Sequence, residues 1–323
     1  MADMVREHAV ACHTEATEGT DPTSNTPSNW IATLGDGPKV QPQLLPVLDE
    51  SVRAHHSGLP HKMVPSHSDV TLPAYVRGKE SAAGDAPIWN DILLAAGFDE
   101  TLNAATSAVY KLVTHHTMAV APSMTVFEER LFDDGESRLF ESNAVRGNLT
   151  FTLEMDTFAS YTFEGKGTYN APGSKGSATI TASSTYDADK SPLVVRNMTL
   201  SYDSSNYCVE SLELGTRWAL EEVRGTCGNN SLDHIRLERN ERAGGSMTFN
   251  DTSLWDAILT AYGTDAVAAL SITLSDGTDT VVIEGDIQFD QYTRDGGNVG
   301  RFSVPFVFVD GGSGDDDITI TFT

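Results

Sequence analysis

Apolar and polar residues alternate strictly along several stretches of the chain. Leu149, Phe151, Leu153 and Met155 take turns with polar partners, and so do Phe302, Val304, Phe306 and Phe308. The segment ALSITLSDGTDTVVIEGDIQF (269–289) sets Leu270, Ile272 and Leu274 against Ser271, Thr273 and Ser275, and then reaches Asp276-Gly277. The closing DITITFT alternates Ile318, Ile320 and Phe322 with threonines. A period of two buries one face of a strand and wets the other, and an Asp-Gly pair between two such runs marks a hairpin turn. Only two segments switch to helical spacing. Trp89, Ile92, Leu93 and Ala96 fall at i, i+3, i+4 and i+7, as do Trp255, Ile258, Leu259 and Tyr262. Each set predicts one apolar helical stripe. Pro87 suits a first helical position, Asp251 or Ser253 an N-cap, and Gly97 and Gly263 the two helix ends. Many strands and two helices predict a mostly β protein, a sandwich or an open barrel.

The two helical segments resemble each other. PIWNDILLAAGF (87–98) and SLWDAILTAYGT (253–264) superpose Trp89 on Trp255, Ile92 on Ile258, Leu93 on Leu259 and Gly97 on Gly263. The strands behind them correspond as well. SMTVFEERLFDDG leads to Asp134-Gly135 and on to GNLTF (147–151), which parallels GDIQF (285–289), and TFEGKGTY (162–169) falls where RFSVPFVF (301–308) falls. The first stretch is longer between helix and turn, which predicts an extra loop or strand there. The pattern reads as an internal duplication of a β-rich unit with one flanking helix. It divides the chain into an arm and loop at 1–79, a first repeat at 80–190, connecting strands at 191–245 and a second repeat at 246–323. The first 80 or so residues, rich in Pro, Ser, Thr and His, read as an arm or strap rather than a core. On that reading, removing residues 1–70 leaves a folded β protein. The terminal strand is expected to pair across subunits, since an open edge needs covering.

Charge changes the picture next. Asp plus Glu number 46 against 21 Lys plus Arg, a net charge of −25. Such a surface repels phosphate backbones and anionic lipid, which disfavours tight nucleic-acid binding and membrane docking. Residues 1–20 carry no apolar stretch of signal-peptide length, so secretion by that route is not expected, and no run approaches a membrane span. The three cysteines, Cys12, Cys208 and Cys227, are too few for a disulfide-built scaffold, although Cys208 and Cys227 remain able to pair.

No constellation of catalytic residues emerges. There is no GxSxG elbow, Walker loop, HExxH or CxxC pair. His55, His56 and His61 with His67, and the doublet His115-His116, lack zinc-ligand spacing and read as loop histidines. Asp310 with Asp315, Asp316 and Asp317 offers oxygens of the kind Ca²⁺ takes, yet matches no EF-hand and reads better as a turn before the last strand. Glu128-Glu129 and Glu221-Glu222 read as exposed strand or turn charges. Four N-x-S/T triplets, at Asn148, Asn197, Asn229 and Asn250, say little without a secretory route. No catalytic residue, cofactor or metal is expected, and a repeated β unit without a reaction centre points to a building block.

Four stretches then resemble the major tail tube proteins of long-tailed (siphovirus-like) bacteriophages and archaeal tailed viruses. AVACHTEATEGTDPTSNTPSNWI (9–31) is similar to that family's opening strand and turn, and LPAYVRGKESAAGDAPIWNDILLAAGF (72–98) to its strand, loop and helix. GNLTFTLEMDTFASYTFEGKGTY (147–169) resembles its signature hairpin, and the ending from Ser246 through GDDDITITF its closing segment. The charge is more acidic than is typical of the family. The resemblance implies a duplicated tail-tube-like β-sandwich or barrel unit with one flanking helix per copy and a long N-terminal arm. It implies a virion protein, assembled in the host cytoplasm, that polymerises as stacked rings into the tube conducting viral DNA. Its partners are then itself, other tail proteins (tape measure, terminator, baseplate) and DNA that passes without specific binding. The family's ring has six single units, so two units per chain predict a trimeric pseudo-hexamer, with a hexamer as the other arrangement. A baseplate ring component or a surface-layer β module is the alternative reading.

Overall fold

The computed structural model describes residues 5–23, 30–35, 39–48, 61–79, 85–103, 106–113, 122–132, 136–170, 176–177, 191–224, 232–238, 242–290, 293–295, 301–310 and 317–323. The protein is mostly β. Strands β1 (Val5–Thr14), β2 (Trp30–Ile31), β3 (Val40–Leu48) and β4 (His61–Tyr75) precede helix α1 (Asn90–Ala95). After it come β5 (Phe98–Asn103), β6 (Ser107–Leu112), β7 (Met124–Phe132), β8 (Glu136–Glu154), β9 (Ser160–Asn170) and β10 (Gly176–Ser177). The chain continues through β11 (Thr199–Tyr202), β12 (Ser205–Tyr207), β13 (Ser211–Gly215), β14 (Ala219–Arg224), β15 (Leu232–Glu238) and β16 (Gly244–Phe249) to helix α2 (Thr252–Thr264). It closes with β17 (Ala268–Ser275), β18 (Thr280–Phe289), β19 (Thr293–Asp295), β20 (Arg301–Val309) and β21 (Thr319–Phe322).

Nineteen of these strands form one hydrogen-bonded antiparallel sheet, and β14 and β15 pair separately. Among the described residues the pairings branch, but a path from strand to strand never returns to its start. The described strands therefore close no barrel among themselves. The predicted alternation holds where the strands fold: Leu149, Phe151 and Leu153 are buried, as are Val304, Phe306, Phe308, Ile318, Ile320 and Phe322. Met155 departs from it, because β8 ends at Glu154 and Met155 sits 56% exposed in the turn before β9. The Asp276-Gly277 turn forms as its chemistry requires. Asp276 Oδ1 accepts from Thr278 N and Asp279 N, each at 2.8 Å, while Gly277 takes φ 94°. The matching residues at Asp134-Gly135 lie outside the described residues, although the flanking strands β7 and β8 pair antiparallel.

Two expectations are corrected here. The described part of residues 1–79 is not an arm apart from the core. β1 pairs with β7 along its length, and its two faces supply different clusters, Val10 and Cys12 to the main core and Ala9 and Ala11 to a smaller one with Trp30 and Phe127. Val40, Val70, Leu72 and Ala74 add to the main core. Short apolar pairs hidden among polar residues were enough to bury these strands. Deleting 1–70 removes core strands, so a folded remainder is no longer expected. The terminal strand is also not an open edge: β21 pairs with β18 on one side and β6 on the other.

Candidate assembly surface

The two halves of the chain pair their strands in the same sequence. In the first, β2 pairs β1, β1 pairs β7, β7 pairs β8, β8 pairs β9 and β10, and β9 pairs β4. In the second, β12 pairs β11, β11 pairs β17, β17 pairs β18, β18 pairs β20 and β21, and β20 pairs β16. Each helix joins the strand at one end of this series, β4 or β16, to the hairpin at its centre. The β5–β6 hairpin lies between α1 and β7 and has no counterpart between α2 and β17.

A detail of packing matches too. Leu149 lies opposite Phe163, and Ile287 opposite Phe308. Two residues before each aliphatic stands a glycine. A Cβ on Gly147 would lie 2.7 Å from the Phe163 ring and 2.4 Å from Glu164 O; on Gly285 it would lie 2.6 Å from the Phe308 ring and 2.2 Å from Asp317 O. In both places a phenylalanine and a neighbouring carbonyl occupy the space that any side chain would take. This register makes Phe163 the counterpart of Phe308, so TFEGKGTY and RFSVPFVF do not match in line as the sequence reading aligned them. The connection between the paired strands is longer in the second half.

The halves meet at a joint. β13 pairs with the end of β8, from Ser211 opposite Glu154 to Gly215 opposite Thr150. Directly after it, Asn148 holds the chain: its Nδ2 donates to Trp218 O at 2.9 Å, and its Oδ1 accepts from Trp218 N at 2.5 Å and Thr216 Oγ1 at 3.1 Å. Trp218 then reaches α1, where its indole N–H donates to Ala96 O at 2.9 Å. Phe322 of β21 meets Trp89 edge-on at 5.5 Å, and Tyr161 stacks on Trp89 at 4.5 Å.

These contacts decide the fate of the two helices. Trp89, Ile92, Leu93 and Ala96 are all fully buried. α1 is short, starting at Asn90 rather than at Pro87, whose carbonyl accepts from Asn90 N; Gly97 ends it at φ 90°. Asp91 is held by the backbone N–H of Thr14 at 3.0 Å and by its hydroxyl. α2 is longer and shallower. Its buried residues are Leu254, Ile258 and Ala261, which corrects the stripe through Leu259: Trp255 is half-buried against Phe302, and Leu259 is 43% exposed. Asp251 caps its start through Ser253 N and Leu254 N, as expected. Gly263 does not end it, because the helix continues to Thr264 and Asp265 takes the left-handed position at φ 51°.

The polar candidates resolve into structural roles. Glu128 and Glu129 are buried, not exposed, because β7 is covered on both faces. Glu128 accepts from Lys39 N at 2.9 Å, Val40 N at 2.8 Å and Arg130 Nε at 2.8 Å; Glu129 accepts from Ser137 Oγ at 2.5 Å. Glu15, which the sequence reading passed over, accepts from Gly19 N, Ser123 Oγ, Thr125 Oγ1 and Ala144 N at 2.6–2.8 Å. Donors of this kind are what a buried carboxylate requires, and at Glu15 four of them surround the two oxygens. Glu221 is exposed, while Glu222 pairs with Lys166 at 2.7 Å and lies 3.6 Å from His67, which lies 3.4 Å from Asp69. Burial raises the Cys12 thiol pKa, with a smaller push from Asp91. His55, His56, His115, His116, Cys227, Asp315 and Asp316 lie outside the described residues, while Cys208 is exposed and Asp317 is buried. Among the described residues no group of three acidic, His or Cys side chains is arranged to hold a metal ion, and no helix is long and apolar enough to cross a membrane.

Among the described residues, β3 and β5 each have a strand partner on one side only, and α2 exposes Leu259. Compared with protein-family models and with curated proteins, the chain finds no match.

Proposed function

We propose that this chain is a virion structural protein whose rings stack into a tail tube that conducts viral DNA. The observation that carries the reading is the shared pairing order of the two halves, with the Gly147–Phe163 and Gly285–Phe308 contacts at matching places. It supports a duplicated tube unit in which three chains supply six units per ring. The described strands, which close no barrel among themselves, support closure by neighbours, which removes strand edges. The charge fits as well. A net −25 repels a phosphate backbone, so DNA slides through without being held. Its partners are then further copies of itself and the tail proteins at either end of the tube, and its place is the virion.

Negative-stain electron microscopy of the purified full chain tests this reading. Tubes or rings with a regular axial repeat are expected. Discrete monomers at every concentration and salt condition would overturn it and favour a baseplate or surface-layer role.

A further inference from the structure

We infer that the outward face of α2, centred on Leu259, is the docking surface for the first half of a second copy of this chain, which presents Leu44 of β3. This rests on the ring reading above and names the contact that closes the ring. The precedent is inside the molecule. α1 and α2 occupy the same place in their halves, each between the strand that ends the paired series and the central hairpin. α1 packs against β1, β5, β7 and β8 of its own half, and the second half adds to that cover: β13 continues the sheet from β8, Trp218 donates to Ala96 O, and Phe322 packs on Trp89. Leu93, which aligns with Leu259, is 0% exposed, whereas Leu259 is 43% exposed.

Among the described residues no segment does for α2 what β13, Trp218 and β21 do for α1. Among the described residues the aromatic contacts of α2 come from its own half: Phe302 against Trp255 and Phe289 beside Tyr262. Val267, just past the helix, is 50% exposed and extends the apolar face. The missing cover is the surface that a neighbouring half offers, and the matching element of the first half is the β2–β3 segment. It corresponds to β12–β14, the segment that carries Trp218. Among the described residues β3 has a strand partner on one side only; it bears no charged residue between Val40 and Leu48 and exposes Leu44 to 43%. A charge-free edge strand with an exposed leucine is a liability in a monomer. Pro42 and Pro46 limit backbone pairing on that edge, so side-chain contact fits it better than sheet extension.

The two open patches differ and lie on different halves. Their contact is heterologous, the type that runs head to tail and closes into a ring when the rotation allows. Joining second half to first half of the next chain keeps the order of halves found within one chain, through side chains where the internal joint also uses the β13–β8 ladder. The interface between chains thereby continues the one within them.

Paired variants of the full chain test the assignment. Leu259→Glu breaks one face and Leu44→Glu the other, and both sites are exposed enough that circular dichroism and the unfolding midpoint should match the parent protein. By sedimentation velocity, each variant alone is expected to need at least about ten-fold more protein to assemble, the loss typical of a central interface residue. Each keeps one intact face. Mixed in equal amounts, the two are expected to form a 1:1 dimer that does not grow. Rings formed by Leu259→Glu at the parent concentration would overturn the α2 assignment and leave the tube reading standing. A parent protein that never assembles would overturn both. Variants that block assembly but yield no dimer on mixing would reject the pairing of these two patches.

Discussion

The two helices begin from nearly the same words, P-I-W-N-D-I-L and S-L-W-D-A-I-L, and end in opposite surroundings. α1 is a turn and a half of helix sunk in aromatic rings, with every residue of its stripe fully buried. α2 is twice as long, capped properly at Asp251, and rests on its sheet with Leu259 in solvent. Periodicity fixes which face of a helix is apolar. It does not fix how much of that face gets covered, because that depends on what the rest of the chain lays over it. For α1 the cover is β1, β5, β7 and β8 of its own half, joined by Trp218 and Phe322 from some 120 and 230 residues away. The difference teaches that like sequences are buried to unlike depths: α1 is enclosed by its own strands and by the second half, while α2 packs chiefly on β18.

The largest test of this contrast is a pair of tryptophan truncations. Trp89→Ala opens a cavity among Tyr161, Phe151 and Phe322 and should cost roughly 3–5 kcal/mol in chemical denaturation. Trp255→Ala, half-wet already, should cost roughly 1–2 kcal/mol in the unassembled chain. Equal losses would break the comparison. Next come the two glycines, which probe likeness rather than difference. Gly147→Ala and Gly285→Ala each push a methyl into a backbone carbonyl and a phenylalanine ring, and each should cost roughly 1–3 kcal/mol. A large loss at one and none at the other would argue against equivalent strands.

Smaller effects sharpen the account of α2 itself. Asp251→Ala removes the acceptor for Ser253 N and Leu254 N and should cost about 1 kcal/mol. Asp265→Gly relieves a left-handed residue at φ 51° and should raise stability by roughly 0.5–1 kcal/mol, whereas a glycine ends α1 already. The smallest effect is a pH slope on β8. Burial raises the Glu141 carboxyl pKa, only partly offset by the Asn170 and Asn143 amides. The folded chain then keeps that proton to higher pH than the unfolded chain does. Its contribution to stability falls as pH climbs from the ordinary carboxylate range through the raised value. Unfolding midpoints across that range should lose this slope in Glu141→Gln and keep it in Glu284→Gln, a substitution at an exposed carboxylate of β18. An unchanged slope in Glu141→Gln would remove the assignment.

Much of this was legible in the sequence because it is local. Period-two runs located the strands around 149–153, 268–289 and 301–309, and Asp276-Gly277 located a turn. The cap at Asp251 followed from its side chain. What escaped was whatever depends on distant partners. β1 and β3 looked like loose arm because alternation is weak in VREHAVACHT and broken by prolines in VQPQLLPVL; their burial comes from pairing with β7 and β4. β21 looked like an edge because nothing local announces β6 as its second neighbour. Glu128 and Glu129 looked solvated, since the Lys39 and Val40 N–H groups lie elsewhere in the fold and Ser137 lies across a turn, with only Arg130 close in sequence. Trp218 carried no signal at all beyond being one of four tryptophans.

The claim that the two halves are equivalent building units is tested most directly by the symmetry of assembled rings. Cryo-electron microscopy of tubes grown from the full chain should show three chains per ring. Each should supply two similar units, giving six-fold density at low resolution that resolves to three-fold, with α2 of one chain beneath the first half of the next. A ring of six chains, each contributing a single unit to the lumen, would contradict the account.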